Sequence, residues 1–430
     1  MKKLFTLGLV LCACLQALAY EWTDSDGMIW SFDISGTKAT NIKPAKLIYG
    51  DVVIPSTVYV DDTEYTVVSI GGNAFSYKGL TSAVIPEGIT SIGDTAFYTC
   101  SHMASVAFPS TLTTIGIRTF ARCSSLSEVT IPKSVKGIGL NAFADCSSLK
   151  KVIVPNIKAW CKVNFANSQS NPLHNGGRIY RNESSEITKL VIPSGVSSIS
   201  PYAFQNCLGL KSITLSNGVK TIGDYAFSNC TNLTNLSLPS SVTKIGSFAF
   251  YHCLKLTSLT IPSGVTSMGE GVFCDCIGLT SVDIKEGATT IGDAAFSYCE
   301  NIATLTIPSS VTYIGLEAFD RCDHLLVIYC HIVNPPEIDV HAFSQSRWAT
   351  LYIPYGCKTT YQNMENWCLF KEIIEMDAPG EDLGVITNMV DYTTDDTKVY
   401  DQNGRRQPTM RHGVNIIKMK DGSTRKVLMK

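Results

Sequence analysis

Residues 123–146 read Cys123-x-x-Leu126-x-x-Val129-x-Ile131-Pro132-x-x-Val135-x-x-Ile138-Gly139-x-x-Ala142-Phe143-x-x-Cys146. The Val-x-Ile pair alternates, so both side chains turn to one side of a short strand. Pro132 lacks the N–H a ladder needs and ends it. Ile138-Gly139 reads as the turn out, with Gly supplying backbone freedom. The stretch to Ala142-Phe143 reads as a short helical or 3₁₀ segment that carries Phe inward. A unit with some six apolar side chains and one face hides them only between copies of itself.

The copies are present. Phe75, Phe97, Phe120, Phe143, Phe204, Phe227, Phe250, Phe273, Phe296, Phe319 and Phe343 recur so that nine of the ten intervals are 22–24 residues. The exception is 61, between Phe143 and Phe204. A fixed period in the twenties predicts a solenoid, one coil per repeat. The fold class is an α/β repeat solenoid: a leucine-rich-repeat-like arc with one long parallel sheet, short helical or 3₁₀ segments and a small C-terminal β module. Inward strand pairs run from Val106/Phe108 through Val129/Ile131 to Leu351/Ile353.

Sixteen cysteines suggest a disulfide framework until their positions are read. Nine lie three residues after a repeat Phe: Cys100, Cys123, Cys146, Cys207, Cys230, Cys253, Cys276, Cys299 and Cys322. One per coil on one interior line suits core filling by small hydrophobes, not metal binding, which clusters ligands. Cys357 and Cys368, flanking the C-terminal cap, are the best-placed disulfide candidates.

The motif I-P-x-x-V-x-x-I-G-x-x-A-F-x-x-C-x-x-L, as in Ile131 to Leu149, resembles the BspA-like leucine-rich repeat proteins, bacterial surface proteins with a 23-residue unit. The resemblance covers about 61–354. It implies the fold, and for function a role in adhesion to host matrix proteins or other cells. It supplies no residue-level binding motif.

Around this body the chain divides into five parts. Residues 1–19 read as a signal peptide, with Lys2 and Lys3, the apolar run Leu4 to Leu15 and an Ala17-Leu18-Ala19 cleavage site. Leu11-Cys12-Ala13-Cys14 offers a second reading, lipidation at Cys14. Residues 20–60 form an N-terminal β cap and 61–354 the solenoid, with an irregular insertion at 156–189. Residues 355–377 close the other end. Residues 378–430 are a linker and a small β tail, with hairpin turns at Asn403-Gly404 and Asp421-Gly422. The tail resembles the C-terminal tails of secreted Bacteroidetes proteins, some of which are sorting signals. In the insertion, Trp160, Val163 and Phe165 fill the core volume of the missing Phe. Arg178 to Arg181 and Glu186 to Ile192 read as hairpin arms that project from the solenoid.

Charge and motifs narrow the function. Charged residues make up 17% and the net charge is −2, with no basic block in the body, which argues against nucleic acid. No second apolar stretch reaches transmembrane length. There is no metalloprotease, P-loop, hydrolase or dinucleotide motif. His252 beside Cys253 is adjacency without the facing geometry of a nucleophile and base. No catalytic, cofactor or metal residue is assigned. The residue between each inward strand pair faces out, and Val84, Ala107, Thr130, Ile153, Val191, Thr214, Ser237, Thr260, Asp283 and Thr306 form the candidate partner-binding face. The expectation is a non-enzymatic cell-surface or secreted protein that binds a protein or glycan, host extracellular matrix or another cell surface among them. The alternative is a self-assembling envelope component.

Overall fold

The computed structural model describes residues 19–376, together with the backbone of strands Lys398–Asp401, Arg406–Gln407, Gly413–Lys418 and Thr424–Met429. The signal sequence, Cys14, the 378–397 linker and the turns at Asn403-Gly404 and Asp421-Gly422 lie outside the described residues. The four C-terminal strands pair antiparallel.

Each coil contributes to three stacked ladders. The Val-x-Ile strands form the first, in parallel register, as with Val129 beside Val152 and Val152 beside Ile179. It is not one continuous sheet. It runs in four hydrogen-bonded segments, beginning at Tyr49–Val53, Glu128–Thr130, Lys189–Ile192 and Ser258–Ile261. The Ile of the Ile-Gly pair ends a second ladder of two-residue strands, such as Thr114–Ile115 beside Gly137–Ile138, and the Gly opens the turn, the Gly139 carbonyl accepting the Ala142 N–H. Glycine is needed there for close approach. A Cβ on Gly139 would lie 2.6 Å from the Gly116 carbonyl carbon, and one on Gly93 2.6 Å from the Gly72 nitrogen.

The Ala-Phe stretch is not helical. Two residues per coil take positive φ, as Asn141 (57°) and Asp145 (57°) do around Phe143. This alternation points every second N–H along the solenoid, making a third ladder. Nine repeat phenylalanines donate their N–H to a carbonyl of the next coil at 2.6–2.9 Å, Phe120 to Ala142 among them. An α-helix would spend those groups within its own coil.

The phenylalanine rings are buried and stacked. Phe204 to Phe227 is 5.2 Å between centroids at 3°, and the stack continues pair by pair to Phe343. Each pair adds ~0.5–1.5 kcal/mol beyond burial. Eight of the nine ladder cysteines donate from Sγ to the Phe carbonyl of the preceding coil at 3.0–3.5 Å. Cys207, in the coil after the missing Phe, is the ninth. Cysteine fits because it fills the core and still satisfies a buried acceptor.

The ends are closed by aromatics. Trp30, on Ile29–Ser35, is buried edge-on against Phe75 at 6.3 Å and donates its indole N–H to Asp24 at 2.8 Å. At the other end Trp367 and Phe370 cover Phe343 at 5.9 and 5.4 Å. Cys357 is buried and Cys368 exposed, and both are free thiols, so the suggested disulfide is absent.

Candidate partner-binding face

The outward row follows from the strand period. With Val129 and Ile131 buried, the intervening Thr130 is exposed. Val84, Ala107, Val191, Thr214, Ser237 and Thr260 are exposed likewise, while Asp283 and Thr306 are half-buried. Register brings Val84 beside Ala107, Thr214 between Val191 and Ser237, and Asp283 between Thr260 and Thr306.

Ile153 does not belong to this face. It is 3% exposed, between Thr130 and Tyr180 in register. Its cover is the segment expected to project. Arg178–Tyr180 is a rung of the first ladder, and the chain reverses after it, with a Tyr180–Glu186 bridge. The loop then folds back over the sheet. Glu183 reaches Lys151 at 2.8 Å, Glu128 meets the same ammonium at 2.9 Å, and Lys151 sits 5.6 Å over the Tyr180 ring. Hydrogen bonds from Lys151 to Glu183 and Glu128 hold the ammonium above its usual range. Lys189–Ile192 does not return along the hairpin but starts the next ladder segment.

Two parts of the row escaped the sequence reading. Val53 is 68% exposed and pairs with Val84, extending the apolar end by one rung. Tyr329 stacks on Tyr352 at 5.1 Å on the far end. The signal for Tyr329 was present. Cys322, Leu325, Ile328 and Cys330 keep the spacing of Cys123, Leu126, Val129 and Ile131, with Cys330 in place of the branched residue. The face therefore runs from apolar residues, Val53, Val84, Ala107 and, past Thr130, Val191, through the hydroxyls of Thr214, Ser237 and Thr260 to the tyrosine pair. Beside its apolar end, Asp51 accepts the Thr81 and Ser82 hydroxyls at 2.6 Å each, and these hold its carboxyl below the usual range.

The cysteine and histidine positions favour structure over reaction. Cys253 is buried with its thiol on the Phe227 carbonyl, while His252 turns away to pair with Asp275 through Nδ1. Cys276 likewise points inward, to the Phe250 carbonyl. Among the described residues no three His, Cys, Asp or Glu side chains group as metal ligands, and no helix is long and apolar enough to cross a membrane.

Coils of one period joined by parallel ladders define a leucine-rich-repeat-like solenoid. The chain belongs to the BspA type leucine rich repeat region family, whose profile matches residues 64–173, 178–253 and 243–371, with six copies. It is similar to the pneumococcal vaccine antigen PcpA, at 19% identity over 84% of this chain and 99% of that one, with a TM-score of 0.47. A leucine-rich repeat protein of Bacteroides ovatus matches at 21% identity over 81% and 98% of the chains, TM-score 0.45. A leucine rich cell surface protein of Faecalibacterium prausnitzii matches at 22% over 84% and 95%, TM-score 0.44. No curated protein matches the chain.

Proposed function

We propose that the chain is an exported, non-enzymatic binding protein that presents the first-ladder face to a protein or glycan partner at a cell surface. The observation that carries this is the graded outward row. It sits on hydrogen-bonded rungs that hold its side chains in register within each segment; its tyrosine end carries a residue type that anchors interfaces, and Val53 and Val84 leave apolar surface exposed at the other. Family membership supports a surface role, and the C-terminal strands, by the resemblance of their sequence, are read as a sorting module.

The test is a binding screen of the purified protein against extracellular-matrix proteins and a glycan array, repeated with Val84→Lys, Thr214→Lys and Tyr329→Ala. Loss of a confirmed ligand with unchanged circular dichroism supports the face. Full binding by all three variants removes it. Light scattering of the unliganded protein addresses self-assembly, which a strict monomer rules against.

A further inference from the structure

A depression of about 200 Å³ opens on the turn side of the solenoid, away from the first-ladder row. Its floor is Ala121 and Ala144, both buried. They occupy the position after the repeat Phe, where other coils carry larger side chains such as Tyr98, Gln205 and Tyr251. Two successive alanines remove a wall the neighbours keep. Tyr98 bounds one end. Gln169, from the irregular insertion, bounds the other, where its carbonyl takes the Phe143 N–H in place of a regular coil.

The walls carry the chemistry. Arg118 and Arg122 stand on one coil, Asn141 and Asp145 on the next. Among the described residues the Arg118 guanidinium makes no hydrogen bond or ion pair. Arg122 sits 5.9 Å over the Tyr98 ring and meets Asp145 at 3.6 Å, both ends of that pair being largely exposed. The Asn141 side chain is fixed from the insertion by Asn167.

We propose that this depression binds the carboxylate-bearing sugar at the end of an acidic glycan. An unpaired guanidinium is a planar fork suited to a carboxylate, with Arg122 adding a second positive charge. Asp145 and the two amides supply acceptors and donors that suit ring hydroxyls. A bare inorganic anion can use the amide donors but has no hydroxyl to give Asp145, whereas a sugar can turn its carboxylate to the arginines and its hydroxyls to Asp145. The volume lies below the ~300–1,000 Å³ of drug-sized sites, which limits occupancy to about one sugar ring. The irregular insertion thereby acquires a role: it supplies the closing wall and fixes Asn141. This site is separate from the first-ladder face and stands whether or not that face binds a partner.

The experiment is calorimetric titration of the purified protein with D-glucuronate and with N-acetylneuraminate, against D-glucose and sodium sulfate. Variants are Arg118→Asn, whose side chain tolerates the positive φ of that position, and Arg321→Asn, the same change at positive φ outside the depression. Saturable binding of at least one acid sugar, without binding of glucose, is expected. Arg118→Asn weakens it by about tenfold or more, as loss of a bidentate charged contact does, and Arg321→Asn leaves it unchanged. Failure of both acid sugars to bind at tens of millimolar overturns the proposal. So does sulfate competing as well as the sugars bind, or full binding by Arg118→Asn with an unaltered melting temperature.

Discussion

Gly137 and Gly139 differ in what surrounds them, although they lie two residues apart, one on the second-ladder strand Gly137–Ile138 and the other just after it. An added Cβ at Gly137 has its nearest neighbour at 4.0 Å, whereas at Gly139 it meets backbone of the preceding coil from 2.6 Å. Gly139→Ala therefore forces two coils apart and costs about 1–3 kcal/mol, as overpacking does. Gly137→Ala changes stability by less than ~1 kcal/mol. Urea denaturation of the two variants compares them, and equal midpoints would remove the close-approach account. The buried thiols give a second test at this scale. Burial pushes Cys100 up to about 11 and Cys146 and Cys207 up to about 12, from an ordinary value of 9.0. Below pH 9 folded and unfolded chains both hold these protons, so the stabilisation is complete. As pH rises from 9 towards 11–12, the unfolded chain releases protons that the folded chain keeps, and stability falls. Each such thiol contributes a slope of ~1.4 kcal/mol per pH unit in that window. Urea midpoints at about pH 8 and about pH 10.5 measure the loss; an unchanged midpoint contradicts it.

At the scale of elements, the segment 157–171 shows how the core continues without a phenylalanine. In a regular coil the Ala carbonyl before each Phe accepts the N–H of the previous Phe. At Ala203 no such donor exists. The Trp160 indole donates instead at 2.7 Å, and Asn171 Nδ2 donates to the same carbonyl at 3.1 Å. Trp160→Phe and Asn171→Ala each leave Ala203 one partner, while the double variant orphans a buried acceptor. The double change should cost about 1 kcal/mol or more beyond the sum of the singles in a denaturation cycle; additivity would show that the two donors do not share one acceptor. The sequence made the core role of Trp160, Val163 and Phe165 legible, because apolar content must be conserved where a beat is missed. It also made the outward row legible, because strand alternation is local. The burial of Ile153 was not legible. It depends on a loop folding back through Glu183 to Lys151, a contact 32 residues long in sequence. The second ladder and the positive-φ turns were hidden for a related reason. Both arise from contact between coils, and one repeat read alone looks like a turn and a helix.

In the whole molecule, nearest-neighbour stacking makes stability a sum of coil and interface terms, so the weakest interface sets how the chain comes apart. One junction is unlike the rest. The first ladder ends at Arg178–Tyr180 and restarts at Lys189–Ile192, and the second ends at Asn164–Phe165 and restarts at Ser198–Ile199. The third breaks there as well, since the Phe stack stops at Phe143 and resumes at Phe204. Elsewhere the first ladder is interrupted, as between Asn235–Ser237 and Ser258–Ile261, while the Phe stack runs on through Phe227, Phe250 and Phe273. Across the junction, backbone pairing is largely replaced by side-chain bonds, from Trp160 to Ala203, Asn171 to Tyr202 and Asn206 to His174. These are fewer and more easily broken than three continuous ladders, so the solenoid should open there first. Hydrogen exchange at increasing urea is then expected to resolve two cooperative units. One spans roughly residues 20–180 and the other roughly 189–376, with Trp160→Phe separating their transitions further. Loss of protection at one denaturant concentration on both sides, unaffected by Trp160→Phe, would mean that the side-chain bonds of segment 157–171 couple the halves as tightly as the ladders they replace.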